Sequence, residues 1–184
     1  MNDFVNINER LELTPKEIFS ISFYDALVEA VEKIPDETAK DVYICKLVIH
    51  NSGSGNEMAS VGLQYNTKSN VKTREFPQIE ELSEEYWWGR IPIKIDFYVC
   101  QKFLDWRNEI DYDDEDDKYY EFYAIHFKDE MVELCKNLFE EEIILHKFGK
   151  NISFLVECEC DEGCAIDVAD NNENKNENET HKRK

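Results

Sequence analysis

The sequence predicts a single α+β domain, a mixed or mainly antiparallel sheet packed against about three helices. Three observations predict it. A capped amphipathic helix stands near the start, a strand, polar turn and strand follow it, and a second long helix leads into a late alternating strand.

The first helix starts at Thr14-Pro15-Lys16-Glu17. Thr14 can cap, Pro15 needs no amide donor at the first helical position, and Glu17 closes a capping box. Ile18, Phe19, Phe23, Ala26, Leu27, Ala30, Val31 and Ile34 recur at steps of three and four, which predicts one buried stripe running to about Lys33 before Pro35 stops the helix. Asp41 to His50 is β-branched and aromatic. The polar, glycine-rich segment Asn51 to Asn56 then turns the chain into a second strand from Met58 to Tyr65, so the pair reads as a hairpin.

From Lys68 to Arg90 the pattern is loop-like, with a short helix at Ile79 to Tyr86 and the aromatic cluster Tyr86-Trp87-Trp88. Ile91, Ile93, Ile95 and Phe97 alternate as a strand would. Pro92 can equally open a helix whose stripe continues through Val99, Cys100, Phe103, Leu104 and Trp106, and we read a helix from about Pro92 to Arg107. The run Asp111 to Asp117 repels itself and has no apolar period, which predicts an exposed loop. Tyr123, Phe127, Met131, Leu134, Cys135, Leu138 and Phe139 predict a further helix over roughly Tyr120 to Glu142. Gly149 marks the break into a strand from Asn151 to Cys160, with Ile152, Phe154, Val156 and Cys158 on one face. Residues 170–184 hold five Asn and no aliphatic residue, Phe, Tyr or Trp, so they read as a disordered polar tail on a domain of residues 1–169.

Composition narrows the function classes. Of 184 residues 42% are hydrophobic, enough to bury a sizeable core, while 34% are charged and the mean hydropathy is -0.62. Against 21 Lys and Arg stand 41 Asp and Glu, a formal charge of -20. The tail has four acids and four bases, so residues 1–169 carry the whole excess. Direct binding to nucleic-acid phosphates or to an anionic membrane surface would start from repulsion. Met1-Asn2-Asp3-Phe4 is not basic and no apolar run of about 18 residues follows, so the expected location is cytoplasmic. The six cysteines then read as reduced thiols, with Cys45, Cys100 and Cys135 behaving as small hydrophobes.

No nucleophile elbow, zincin motif, phosphate loop or dinucleotide fingerprint is present. Cys158, Cys160 and Cys164 at the end of a strand are the most specific-looking metal candidate, as soft ligands for zinc with a distant His146 or Cys135 as the fourth. Their spacing lacks the paired C-x2-C knuckles of a structural site, so no resident cofactor is expected. The acidic run lacks the glycine and distal glutamate of a calcium loop.

The order of features resembles an uncharacterised bacterial family, domain of unknown function 4303. The residues that carry the resemblance are the strand and polar turn from Val42 to Asn56, Tyr65-Asn66-Thr67, the bend at Tyr86-Trp87-Trp88, Phe148-Gly149-Lys150 and the strand Ile152 to Cys158 before Asp161. It spans roughly Phe19 to Asp161, and implies strand pairs packed on helices without assigning catalytic residues.

The expected function is that of a non-enzymatic binding protein, immunity- or antitoxin-like, whose acidic face meets a basic protein partner such as a toxin. Its expected contact residues are Asp111, Tyr112, Asp113, Asp114, Glu115, Asp116, Asp117 and Trp88, with Tyr119, Tyr120 and Tyr123 as further aromatic anchors. The alternative is a metal-binding or enzymatic domain built on the Cys158, Cys160 and Cys164 cluster with a histidine.

Overall fold

The computed structural model describes residues 13–50, 58–71, 88–111, 121–159 and 165–169. The expected turn at 51–56, the short helix at 79–86, the acidic residues 112–117, Cys160, Cys164 and the tail from 170 lie outside them.

Helix α1 spans Pro15–Glu32 and opens as its sequence dictates. The Thr14 hydroxyl accepts from the Glu17 amide at 3.2 Å, and the Glu17 carboxylate accepts from the Thr14 amide at 2.7 Å. Phe19, Phe23, Leu27, Ala30 and Val31 are its buried stripe, extended by Ile34 just beyond. Pro35 forces a new start, and the short α2, Asp36–Ala39, leads into β1, Val42–His50. Strand β2, Ser60–Thr67, returns antiparallel to β1 and runs into α3, Lys68–Val71. The expected hairpin is therefore present.

Strand β3, Gly89–Pro92, pairs antiparallel with β2, and β4, Ser153–Cys158, lies parallel to β1 on its other side. The two-residue β5, Ile166–Asp167, closes a mixed five-stranded sheet of order β3-β2-β1-β4-β5. Cys45, Leu47 and Ile49 of β1, Val61 and Leu63 of β2, and Phe154, Val156 and Cys158 of β4 join the helices in one apolar cluster. Ile44, Val48 and Leu155 alternate with them along the strands and are buried on the opposite face. Burial on both faces explains why the central strand reads as a nearly continuous apolar run.

Helix α4 spans Phe97–Glu109, which corrects the expected start at Pro92 by five residues. Asp96 is the reason: its side chain accepts from the Val99 amide at 2.8 Å and caps the helix there. Upstream, Ile91 alternates as its spacing suggested, and Pro92, which has no amide proton, sits where an edge strand tolerates it.

The second long helix is wound in two ways. Phe122–Phe127 is π-helical and continues directly into α5, Lys128–Glu140, followed by α6, Ile143–Phe148. Bonding across five residues turns Phe122 and Phe127 to the same side, where their rings stack at 6.2 Å. Phe19, Phe103 and Trp106 pack around them. Tyr123, an expected interface anchor, is instead fully buried, and its hydroxyl accepts from the Ala59 amide at 2.8 Å. Glu142 adopts φ 61° between α5 and α6, and Gly149, at φ 69°, ends α6 as its glycine predicted. Lys147, its side chain only 6% exposed, ties α6 to the preceding elements, donating at 2.8 Å to the Glu32 carbonyl and at 2.8 Å to the Asp36 carboxylate.

Two substitutions test this packing. A Cβ on Gly89 would lie 2.2 Å from Cζ of Tyr65, whose ring covers this edge-strand glycine, whereas a Cβ on Gly62 meets nothing within 4 Å. Gly89→Ala is expected to cost about 1–3 kcal/mol in urea unfolding, and Gly62→Ala about 0.5 kcal/mol or less. Tyr123→Phe strips the buried Ala59 amide of its acceptor and is expected to cost about 1–3 kcal/mol by the same measurement.

Candidate functional site

Acidic side chains are spread over the outward faces of the helical layer. Asp25, Glu29 and Glu32 line α1, Asp36 and Glu37 open α2, and Glu140, Glu141 and Glu142 gather at the corner between α5 and α6. All are exposed, because the opposite stripe of each helix is taken by the core. Glu109 and Asp111 at the end of α4 and Glu121 before the π-helical turn are exposed too, so the described residues on either side of 112–120 present the same sign of charge.

Local donors keep part of this surface ionised. The hydrogen bond from Lys33 holds the Glu29 carboxyl below its usual range, and that from Lys147 does the same for Asp36. Groups of this kind contribute fully above the ordinary carboxylate pKa, and the contribution is lost only as the pH falls through the lowered folded value. Because both groups are solvent-exposed, they bear on surface charge more than on stability.

Of the expected contact residues, Asp111 is exposed directly after α4, while Tyr112, Asp113, Asp114, Glu115, Asp116 and Asp117 lie outside the described residues. Trp88 sits elsewhere, half-buried beside the edge strand. The Lys46 ammonium lies 5.3 Å from the centroid of its ring and 2.7 Å from the Glu157 carboxylate. This lysine is 14% exposed, so Trp88 helps to shelter an ion pair on the sheet. It also borders a polar cleft of about 650 Å³ with Glu37, Asp41, Tyr65 and Thr67.

The cysteine cluster is divided in the same way. Cys158 is buried in the core, with Sγ 3.9 Å from the Tyr123 carbonyl that it donates to, and Cys160 and Cys164 lie outside the described residues. His146 is exposed on α6, upstream of β4, whereas Cys158 ends that strand, and six strand residues span about 17–20 Å. Among the described residues no group of three His, Cys, Asp or Glu side chains is arranged to hold a metal ion.

Two features had no signal in the sequence. His50 and Glu159 are 109 residues apart, yet the parallel register of Ile49 against Cys158 sets them side by side, with Nδ1 2.7 Å from the carboxylate. Next to His50 a cleft of about 410 Å³ opens between β2, β3 and the first turn of α4, its polar margin formed by His50, Ser60, Gln64 and Arg90. Cys100 borders it, and its thiol pKa is raised by burial and by the nearby Asp96 carboxylate, which keeps it protonated and weakly nucleophilic.

No family model matches the chain, and no curated protein or solved structure matches it at a significant level. Among the described residues no helix is long and apolar enough to cross a membrane.

Burial also pushes the Cys45 and Cys135 thiols well above their ordinary value. Alkylation with iodoacetamide at pH 8, mapped by peptide mass, is expected to modify Cys100 slowly in the native protein and to reach Cys45, Cys135 and Cys158 only in urea. Native labelling of Cys158 would contradict its core placement.

Proposed function

We propose that this is a non-enzymatic, cytoplasmic binding protein, immunity- or antitoxin-like in kind, that uses its acidic surface to cover a basic protein partner. The observation that supports it is the distribution of charge. The apolar stripes of α1, α4 and α5 face the core, and their acids are left outward on a chain with 41 acids and 21 bases. Such a surface attracts a Lys- and Arg-rich partner at long range, speeds their encounter, and disfavours acidic competitors. Asp111 and the residues that follow it, to Asp117, concentrate that charge most densely in the sequence. The same field disfavours direct contact with nucleic-acid phosphates, so a nucleic-acid-directed partner would be met through its own basic surface.

Affinity capture from the native host at low and moderate salt tests the reading. One basic protein is expected in stoichiometric amount, with less recovered as salt rises. Replacing Asp113, Asp114, Asp116 and Asp117 together by Asn is expected to leave the unfolding transition unchanged and to slow association by about tenfold or more at low salt. An association rate that ignores both the substitutions and the salt would overturn the role of the acidic run. Recovery of an acidic partner, or of none, would overturn the wider proposal.

A further inference from the structure

The cleft beside β2 has a structural origin that also indicates what fits it. Pro92, opposite Gly62, is the last residue of β3. Beyond it Ile93 to Ile95 leave the sheet toward the Asp96 cap of α4, and the start of β2 loses its neighbour. The resulting space has walls from Met58, Val61, Leu63, Ile91, Ile93 and Ile95, and its volume of about 410 Å³ falls within the range of small-molecule sites, about 300–1,000 Å³. Gly62 enlarges it, since a side chain there would project into open space.

Among the described residues that line it, the charge at this cleft runs against the rest of the molecule. Although acids outnumber bases by 41 to 21 in the chain, no Asp or Glu is among the described residues that line it. Arg90 is exposed at its margin, and among the described residues no carboxylate pairs with it. At the other end Glu159 is engaged by His50, and Asp96, near Cys100, is engaged in capping α4. Arg90 stands opposite Gln64 and His50 opposite Ser60, which places the two basic groups about four strand residues apart along β2. An apolar pocket with a guanidinium at its rim matches a molecule with a hydrocarbon body and one anionic oxygen pair.

We propose that this cleft binds a small amphipathic carboxylate at the free edge of β2, its apolar body against Gly62, Pro92 and the apolar residues that border them, and its carboxylate on Arg90, which the register places on the same face as Gly62 and Pro92. The site is separate from the acidic surface, and either assignment stands without the other.

The test uses octanoate, octanol and octylamine as probes, followed by calorimetry and by amide chemical shifts of the whole chain. Octanoate is expected to bind once per chain, about tenfold or more tighter than octanol, and to shift the amides of Gly62, Arg90 and Ile93. Since the chain as a whole attracts cations and repels anions, a preference for octanoate over octylamine can arise only locally. Arg90→Gln, at an exposed position, is expected to lower octanoate affinity about tenfold and leave octanol unchanged. Gly62→Val is expected to abolish binding of both by filling the space, with the unfolding transition showing that the fold persists. Absence of octanoate binding, octanol or octylamine binding as tightly, shifts centred elsewhere, or full octanoate affinity in Arg90→Gln would each overturn the proposal.

Discussion

The parallel pairing of β1 with β4 is the constraint on which the rest of the structure depends. Parallel neighbours cannot be joined by a tight turn, so the chain between them must cross over. Here that connection carries β2, α3, β3, α4, the π-helical turn, α5 and α6, and the helices deliver their apolar stripes to one face of the sheet. The register that results also creates contacts between residues far apart in sequence. It sets Glu157 within reach of Lys46, Glu159 beside His50, and Cys158 against the carbonyl of Tyr123. A slip of one residue would exchange the two faces of β4, moving Phe154 and Val156 out of the core and Glu157 into it.

The core on that face contains a cluster of packed aromatic rings, and aromatic rings demand particular angles. Phe103 lies edge-on to Phe122 and to Phe127, and Trp106 edge-on to Phe122. These orientations add to the stabilisation from buried area. The π-helical turn is part of the same solution. An α-helical turn would point Phe122 and Phe127 in different directions, and bonding across five residues lets both rings and Tyr123 enter the core. Through its hydroxyl Tyr123 then satisfies the Ala59 amide just before β2, in a stretch that β3 leaves unpaired. The π-helical turn and the cleft beside β2 are thus coupled through one buried hydrogen bond.

Charge is organised in two layers. On the helices the acids face water, where repulsion among them is weakened by solvent and partly offset by single lysines such as Lys33 and Lys147. On the sheet the charges are fewer and more enclosed, as with Lys46 between Glu157 and Trp88. A partner drawn by the outer layer and a small ligand held at the sheet edge would meet different parts of the molecule.

The sequence by itself determined the class of fold, the start and stripe of α1, the hairpin, the late strand and the sign of the surface charge. Those features depend on near neighbours: a cap and its third residue, a period of 3.6 or of 2, a glycine at a left-handed turn, a count of ionisable groups. The start of α4 was legible only in part, since the alternating isoleucines and Pro92 allowed strand or helix until Asp96 was seen to cap. Tyr123 was read both as the first member of a helical stripe and as an aromatic anchor, and its burial decides for the stripe. Tertiary structure alone decided the parallel register, the pairing of His50 with Glu159, and the cleft. Each depends on which strands become neighbours, and that choice is made by burial of the whole apolar cluster, which no local segment encodes.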